Sequence, residues 1–192
     1  MPAIKVFPKD VDRKLTEVFT KYGYDGASME LLSQATGLKK ASLYHRFPGG
    51  KKDMAAHVIK NVEAWFQKNV DDVLRSETVP VIEKLSHALS AIRDLFEDGG
   101  RNCPLRMLSA GTEASYFQSS IANCFSLLKN GFSAVARENG MDESTAQAKA
   151  MEAIINIQGS LVLSRAMNDN AIFKTSISAV PQLLGCDLKE KI

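Results

Sequence analysis

Between Lys39 and Lys51 the chain sets two short side chains, Ala41 and Ser42, among long polar ones: Lys39, Lys40, Tyr44, His45, Arg46 and Lys51. That pattern suits a helix meeting the floor of a DNA groove. Short residues permit close approach, and long donors reach phosphates or base edges on either side. Lys39, Lys40, Tyr44, Arg46 and Lys51 are able to contact the backbone or guanine edges, and His45 offers a ring nitrogen to a base or phosphate. Leu43 and Phe47 are expected to pack inward. Taken singly, Tyr44 reads equally as a half-buried core tyrosine, Lys39 and Lys40 as a solvated helix end, and His45 as a surface residue without a task. Their common order is what points to nucleic acid.

The elements needed to present these residues are written on either side. Val11, Leu15, Val18, Phe19 and Tyr22 recur at helical spacing, and Gly23 ends that helix. Ser28 is placed to cap a second helix, with Glu30 in its positive first turn and Met29, Leu32 and Ala35 facing inward. Gly37 supplies a permissive turn, a short third helix runs through His45, and Pro48, Gly49 and Gly50 break the chain. Two short helices joined by a glycine turn and backed by a first helix form the layout of a helix-turn-helix.

Beyond the breaker, Met54, Val58, Val62, Trp65, Phe66, Val70 and Val73 mark a long amphipathic helix, a mechanical link out of the small unit. Segments 81–96, 105–112, 117–137, 143–167 and 171–184 all suit helix, and no stretch sustains strand alternation. Met151, Ile154, Ile155, Gln158, Leu161 and Val162 lie on a helix with little charge, which must be buried on more than one side. The predicted fold is all-α. A helix-turn-helix domain over 1–50 precedes a larger helical domain over 51–192.

Two stretches, Tyr22-Gly23-Tyr24-Asp25-Gly26-Ala27-Ser28-Met29 and Ala35-Thr36-Gly37-Leu38-Lys39-Lys40-Ala41-Ser42-Leu43-Tyr44-His45-Arg46-Phe47, resemble the N-terminal domain of the TetR family, with order and spacing kept over residues 9–60. Phe47-Pro48-Gly49-Gly50-Lys51 is similar to its LmrA/YxaF-like branch, as are Asn102-Cys103-Pro104-Leu105 and Gln158-Gly159-Ser160-Leu161-Val162-Leu163-Ser164-Arg165-Ala166. The resemblance implies a transcriptional regulator, a repressor by family expectation. It places the residues matching Lys39, Lys40, Ala41, Tyr44, His45 and Lys51 at the DNA, Tyr44 and Lys51 on phosphates. The chain departs from the family at Lys39, where Ser is common, at Ala41, where Gly is common, and at Arg46, where His is common. Those departures leave the operator sequence open.

The same resemblance implies a C-terminal domain that forms a homodimer through its last two long helices and encloses a small-molecule pocket. Two recognition helices about 34 Å apart then read a palindromic operator. Candidate interface residues are Ile154, Leu161, Ser164, Arg165, Ile177, Val180 and Leu184. Pocket candidates are Trp65, Phe66, Met107, Phe117, Phe125, Phe132 and Gln158, an apolar and aromatic set with one amide. Charge is sparse among them, so a lipophilic or aromatic effector is expected rather than a phosphorylated one. An aromatic stripe at helical spacing also serves as plain core.

Composition narrows the field further. Residues 1–60 hold eleven Lys/Arg against six Asp/Glu, whereas 61–192 hold thirteen against sixteen, so the basic end is the candidate nucleic-acid face. No Gly-x-Ser-x-Gly elbow, phosphate-binding glycine loop or His-Glu-x-x-His helix occurs, and His45, His57 and His87 stand apart; neither an enzyme nor a cofactor or metal site is expected. The longest charge-free stretch, 114–128, is too polar and short for a membrane span, and Lys5, Lys9, Asp10 and Asp12 break any apolar leader, so a cytoplasmic protein is expected. Cys103, Cys124 and Cys186 fit neither a disulfide framework nor a zinc cluster. One alternative assigns Cys103 or Cys124 to a thiol-based redox-sensing repressor: Cys103 precedes Pro104 at an expected helix start near Arg101, where a thiol pKa falls. The competing assignment is a small buried hydrophobe.

Overall fold

The computed structural model describes residues 8–186, so Met1–Phe7, and with it Lys5 of the expected missing leader, lies outside the described residues. Within them the all-α expectation holds, with no strand, and no helix is long and apolar enough to cross a membrane. The chain forms two compact units. The first runs up to Val62 and takes in Cys103–Ile121; the second comprises Glu63–Asn102 and the chain from Ala122 onward.

In the first unit, α1 (Pro8–Gly26) buries Val11, Leu15, Val18 and Phe19, the apolar stripe of its sequence. Tyr22, which the spacing assigns to that stripe, is 41% exposed at the helix end. At Gly23 the backbone leaves the helix, with φ 67° and ψ −173°, a region open essentially to glycine alone. A Cβ there would also stand 3.2 Å from the Met107 carbonyl oxygen. The break turns Tyr24 and Ala27 into the core, where the Tyr24 ring meets Phe117 at 5.6 Å.

The helix-turn-helix follows as α2 (Met29–Thr36) and α3 (Lys40–Arg46), then α4 (Lys51–Phe66). The short α7 (Pro104–Leu108) packs on α1, and the first turn of α8 (Ala114–Glu138) carries Phe117 to the Tyr24 ring. The predicted helix over 105–112 stops at Leu108, and Gly111 then passes over Tyr24, where a Cβ would lie 3.0 Å from the Tyr24 Cβ. Beside it Thr112 donates its N–H (2.9 Å) and hydroxyl (2.5 Å) to the two oxygens of Asp25. These bonds, the hydroxyl's first, hold the Asp25 carboxyl below its usual pKa. The clamp is complete at pH values above the ordinary carboxylate range and is lost as pH falls through the lowered value.

In the second unit the linking helix continues from α4 through a π turn, Gln67–Asp71, into α5 (Asp72–Leu74). Phe66, Val70 and Leu74 are buried along it. Helix α6 (Val81–Leu95), α8 from Ala122 onward, α9 (Glu143–Met167) and α10 (Ala171–Leu183) complete the unit. Asp142 starts α9 by accepting from the N–H groups of Ser144 and Thr145, and Asn168 ends it in the left-handed conformation. Helices α9 and α10 then form a hairpin in which the Ser164 hydroxyl accepts from the Phe173 N–H at 3.1 Å. Lys84 is a buried cation, satisfied by Glu138 at 2.5 Å and the Ser76 carbonyl at 3.0 Å.

Gly23 carries both a glycine-only backbone and a close approach. Gly23→Ala is expected to destabilise the protein by about 2 kcal/mol, lowering Tm by roughly 4–8 °C for a chain of this size. Thermal melting followed by circular dichroism measures this; an unchanged Tm would show that the break is dispensable.

Candidate nucleic-acid interface

The recognition element is positioned from its turn outward. The Ser28 hydroxyl accepts from the Leu31 N–H at 3.2 Å and starts α2, as its place in the sequence predicts. Gly37, at φ 68°, closes that helix in the left-handed conformation. Across the turn, the Ser33 hydroxyl donates to the Leu38 carbonyl at 2.6 Å, and Thr36 donates back to Leu32 at 2.7 Å. Lys39 is the extended residue before α3 and gives no side-chain cap, so α3 begins without one.

Helix α3 spans seven residues and buries one of them, Leu43. Phe47, directly after it, is the second anchor at 7% exposure. Lys39, Lys40, Ala41, Ser42, Tyr44, His45 and Arg46 are all exposed, so the expected contact residues share the open side of one helix while Leu43 and Phe47 pack inward. Tyr44 is 49% exposed. Its ring lies across Gly50, where a Cβ would fall 2.9 Å from the ring's Cε1 and φ is +66°, so the breaker serves both the turn and the tyrosine. The Gly49 N–H is held by Asp53 Oδ2 at 2.6 Å, which fixes the same turn to the start of α4.

Several of the expected contacts already have partners within the unit. Lys51 donates to the Tyr24 carbonyl at 2.9 Å, its ammonium 4.2 Å from the Tyr24 ring centroid, and so secures the chain just past the Gly23 break. Arg46 reaches Asp12 Oδ1 at 3.4 Å and lies over the Phe47 ring. The same Asp12 oxygen meets His57 Nε2 at 2.9 Å, so one carboxylate on α1 ties α3 to α4. Lys40 pairs with Glu30 of α2 at 2.5 Å. From the sequence alone, Asp12, Asp53 and His57 have no assigned part in this interface, and Glu30 is credited only with favouring its helix end. Arg46 and His57 lie 34 and 45 positions from Asp12, beyond any helical spacing rule.

The residues expected around an effector divide between the units. Met107 and Phe117 belong to the first; Trp65, Phe66, Phe125, Phe132 and Gln158 belong to the second. Phe66 and Phe132 are core, Trp65 and Phe125 are half-buried, and the Gln158 Oε1 is buried with no hydrogen-bond partner among the described residues. Of the expected dimer contacts, Ile154, Leu161, Ser164, Ile177, Val180 and Leu184 are buried within the protomer, and only Arg165 is at the surface. Their periodicity marks the inward side of the α9–α10 hairpin. The apolar residues left outward are Met151, Ile155, Val162, Leu163 and Met167, each between 41% and 66% exposed. All three cysteines are buried, Cys103 and Cys124 completely.

Residues 15–58 match the family model of bacterial regulatory proteins of the tetR family, and residues 81–178 match that of the C-terminal domain of LmrA/YxaF-like transcriptional regulators. The chain is 24% identical over 179 residues to the HTH-type transcriptional regulator LmrA of Bacillus subtilis, covering 88% of this chain and 92% of that one. It is 26% identical over 178 residues to the uncharacterised HTH-type transcriptional regulator YxaF of the same organism, covering 88% and 90%. Its fold matches the crystal structure of a TetR transcriptional regulator from Legionella pneumophila with a TM-score of 0.77 at 22% identity, over 94% of this chain and 98% of that one. A TetR-family regulator from Agrobacterium tumefaciens aligns with a TM-score of 0.75 at 21% identity, over 91% and 94%. With both its helix-turn-helix and its C-terminal domain so matched, the chain belongs to the TetR family, in its LmrA/YxaF-like branch, and is a DNA-binding transcriptional regulator.

Proposed function

We propose that the protein is a homodimeric repressor that reads a palindromic operator and is released from it by a lipophilic or aromatic effector, with residues 1–50 reading DNA and 51–192 serving effector and dimer. The observation that carries the DNA reading is the open side of α3, where Lys39, Lys40, Ala41, Ser42, Tyr44, His45 and Arg46 are exposed together over buried Leu43. Tyr44 and Lys40 are the first contacts, Tyr44 through its hydroxyl to a phosphate. Lys51 reaches a phosphate by giving up its bond to Tyr24.

Dimerisation is supported by the outward apolar row on α9. Large apolar side chains left exposed together along one helix mark an interaction surface. Gly159 lies within the row with open space where a side chain would stand, which permits close approach of a second helix. Met151, Ile155, Val162, Leu163 and Met167 therefore replace the buried set as the proposed contacts, with Arg165 kept at their edge.

The effector reading rests on the second unit's aromatic interior and on Gln158, whose buried carbonyl oxygen has no partner among the described residues and is ready for a donor. Effector binding shifts the population toward a conformer in which the linking helix, Met54 to Leu74, moves and the paired recognition helices no longer fit successive grooves. The thiol alternative gains nothing from the complete burial of Cys103 and Cys124, which keeps both from solvent oxidants.

Selection of bound sequences from a random duplex library at fixed salt should return a palindrome with half-sites about one helical turn apart, and Tyr44→Phe with Lys40→Ala should weaken its binding. Recovery of no palindrome would refute the operator reading. In sedimentation, the protein should run as a dimer and Ile155→Glu with Leu163→Glu as a monomer that keeps its helical spectrum; an unchanged dimer would move the interface elsewhere. Lipophilic aromatic compounds at 100 times their Kd should stabilise the protein by about 2.7 kcal/mol and release operator, while phosphorylated counterparts should not. Gln158→Leu should lose that response but keep operator binding.

A further inference from the structure

Glu30 has an unusual position among the acids of the first unit. Asp12 is held by Arg46 and His57, Asp25 by Thr112, Asp53 by the Gly49 N–H and Glu17 by Arg13 and Lys14. Most of these partners build the scaffold. Glu30 is 74% exposed in its side chain and pairs instead with Lys40, the first residue of the recognition helix, itself 51% exposed. The carboxylate sits in the first turn of α2, where the helix end favours negative charge, and reaches across the helix-turn-helix to the ammonium.

That pairing bears on how the protein distinguishes one duplex from another. A lysine strengthens binding to any DNA by neutralising a phosphate and releasing its counterion, without regard to sequence. While Lys40 is paired with Glu30 it contributes little of this term, and the pair brings a carboxylate toward a polyanion. Lys40 therefore gains a contact with any duplex only where the pair opens. An exposed ion pair opens at small cost, and the cost is recovered only where Lys40 finds well-placed acceptors, such as the O6 and N7 of a guanine. On an arbitrary sequence the freed carboxylate faces phosphates without that return.

We propose that Glu30 is a specificity-determining residue: by holding Lys40 in an ion pair that sequence-independent contact must break, it suppresses binding to non-operator DNA more than binding to the operator. This rests on Lys40 meeting DNA, as proposed above. It makes the sequence preference of the protein a matter of repulsion as well as contact.

The test uses the full chain and fluorescence anisotropy on two labelled duplexes, one of random sequence and one carrying the selected operator, between about 50 and 200 mM salt. Glu30→Gln is expected to bind the random duplex several-fold more tightly, with a log K against log salt slope steeper by about 0.9, the value of one additional phosphate contact. Operator affinity should rise less, so the ratio of the two falls. In a Lys40→Ala background the gain should largely vanish. An unchanged random-duplex affinity and slope in Glu30→Gln, an equal gain on both duplexes, or a gain that persists without Lys40 would each overturn the proposal, the last by assigning the effect to net charge. Lys40→Ala leaving the wild-type operator affinity unaltered would remove Lys40 from the DNA, and with it both readings. Because both side chains are exposed, thermal melting should show all variants folded.

Discussion

A helix of seven residues that begins without a side-chain cap does not hold itself together in water. Everything around α3 answers to that constraint. Leu43 and Phe47 supply its two apolar anchors, Gly37 lets α2 end tightly enough for the turn, and the Ser33 bond to Leu38 closes the turn from the other side. At the far end, Asp12 gathers Arg46 and His57, and Gly50 leaves room for the Tyr44 ring. The contact surface is rigid because α1, α2 and α4 each fix part of it, which is what presentation of several donors to a groove at once demands.

The same economy explains why polar residues of this region have two kinds of partner. Lys51 and Arg46 have the long, charged form of DNA contacts, yet one secures the carbonyl beyond the Gly23 break and the other joins α3 to α1. In both the anchoring bond is made by the charged head itself, which has further N–H donors beyond the one so used. Tyr44 shows the division most clearly, with its ring against Gly50 and half its surface exposed.

Much of this was legible in the residues. Ser28 and Gly37 act locally, within a turn of where they stand, so the cap and break at these positions follow from short-range chemistry. The boundaries of α9 match the expected 143–167, where Asp142 and Asn168 supply caps of the same local kind. What was not legible is long-range: Asp12 meets partners 34 and 45 residues away, and Asp25 meets Thr112 from 87 away, pairings that no local period encodes. Nor does a stripe of apolar residues say which body covers it. Ile154 and Leu161 read as interface from sequence because α9 is apolar on more than one side, and only the packing of α10 shows that theirs is the covered one.

The composition of α9 then carries a further implication. A helix serving one core alone needs apolar residues on one stripe and gains nothing from Met151, Ile155, Val162, Leu163 and Met167 on another. Their exposure in a single protomer is unfavourable unless a second surface removes them from water. In the proposed dimer that cost becomes the driving force for association. The need for it originates at the opposite end of the chain: α3 is so short that one copy spans few base pairs, and a second copy at fixed spacing is the economical source of both affinity and sequence preference. The apolar row on α9 and the brevity of α3 are thus two expressions of one requirement.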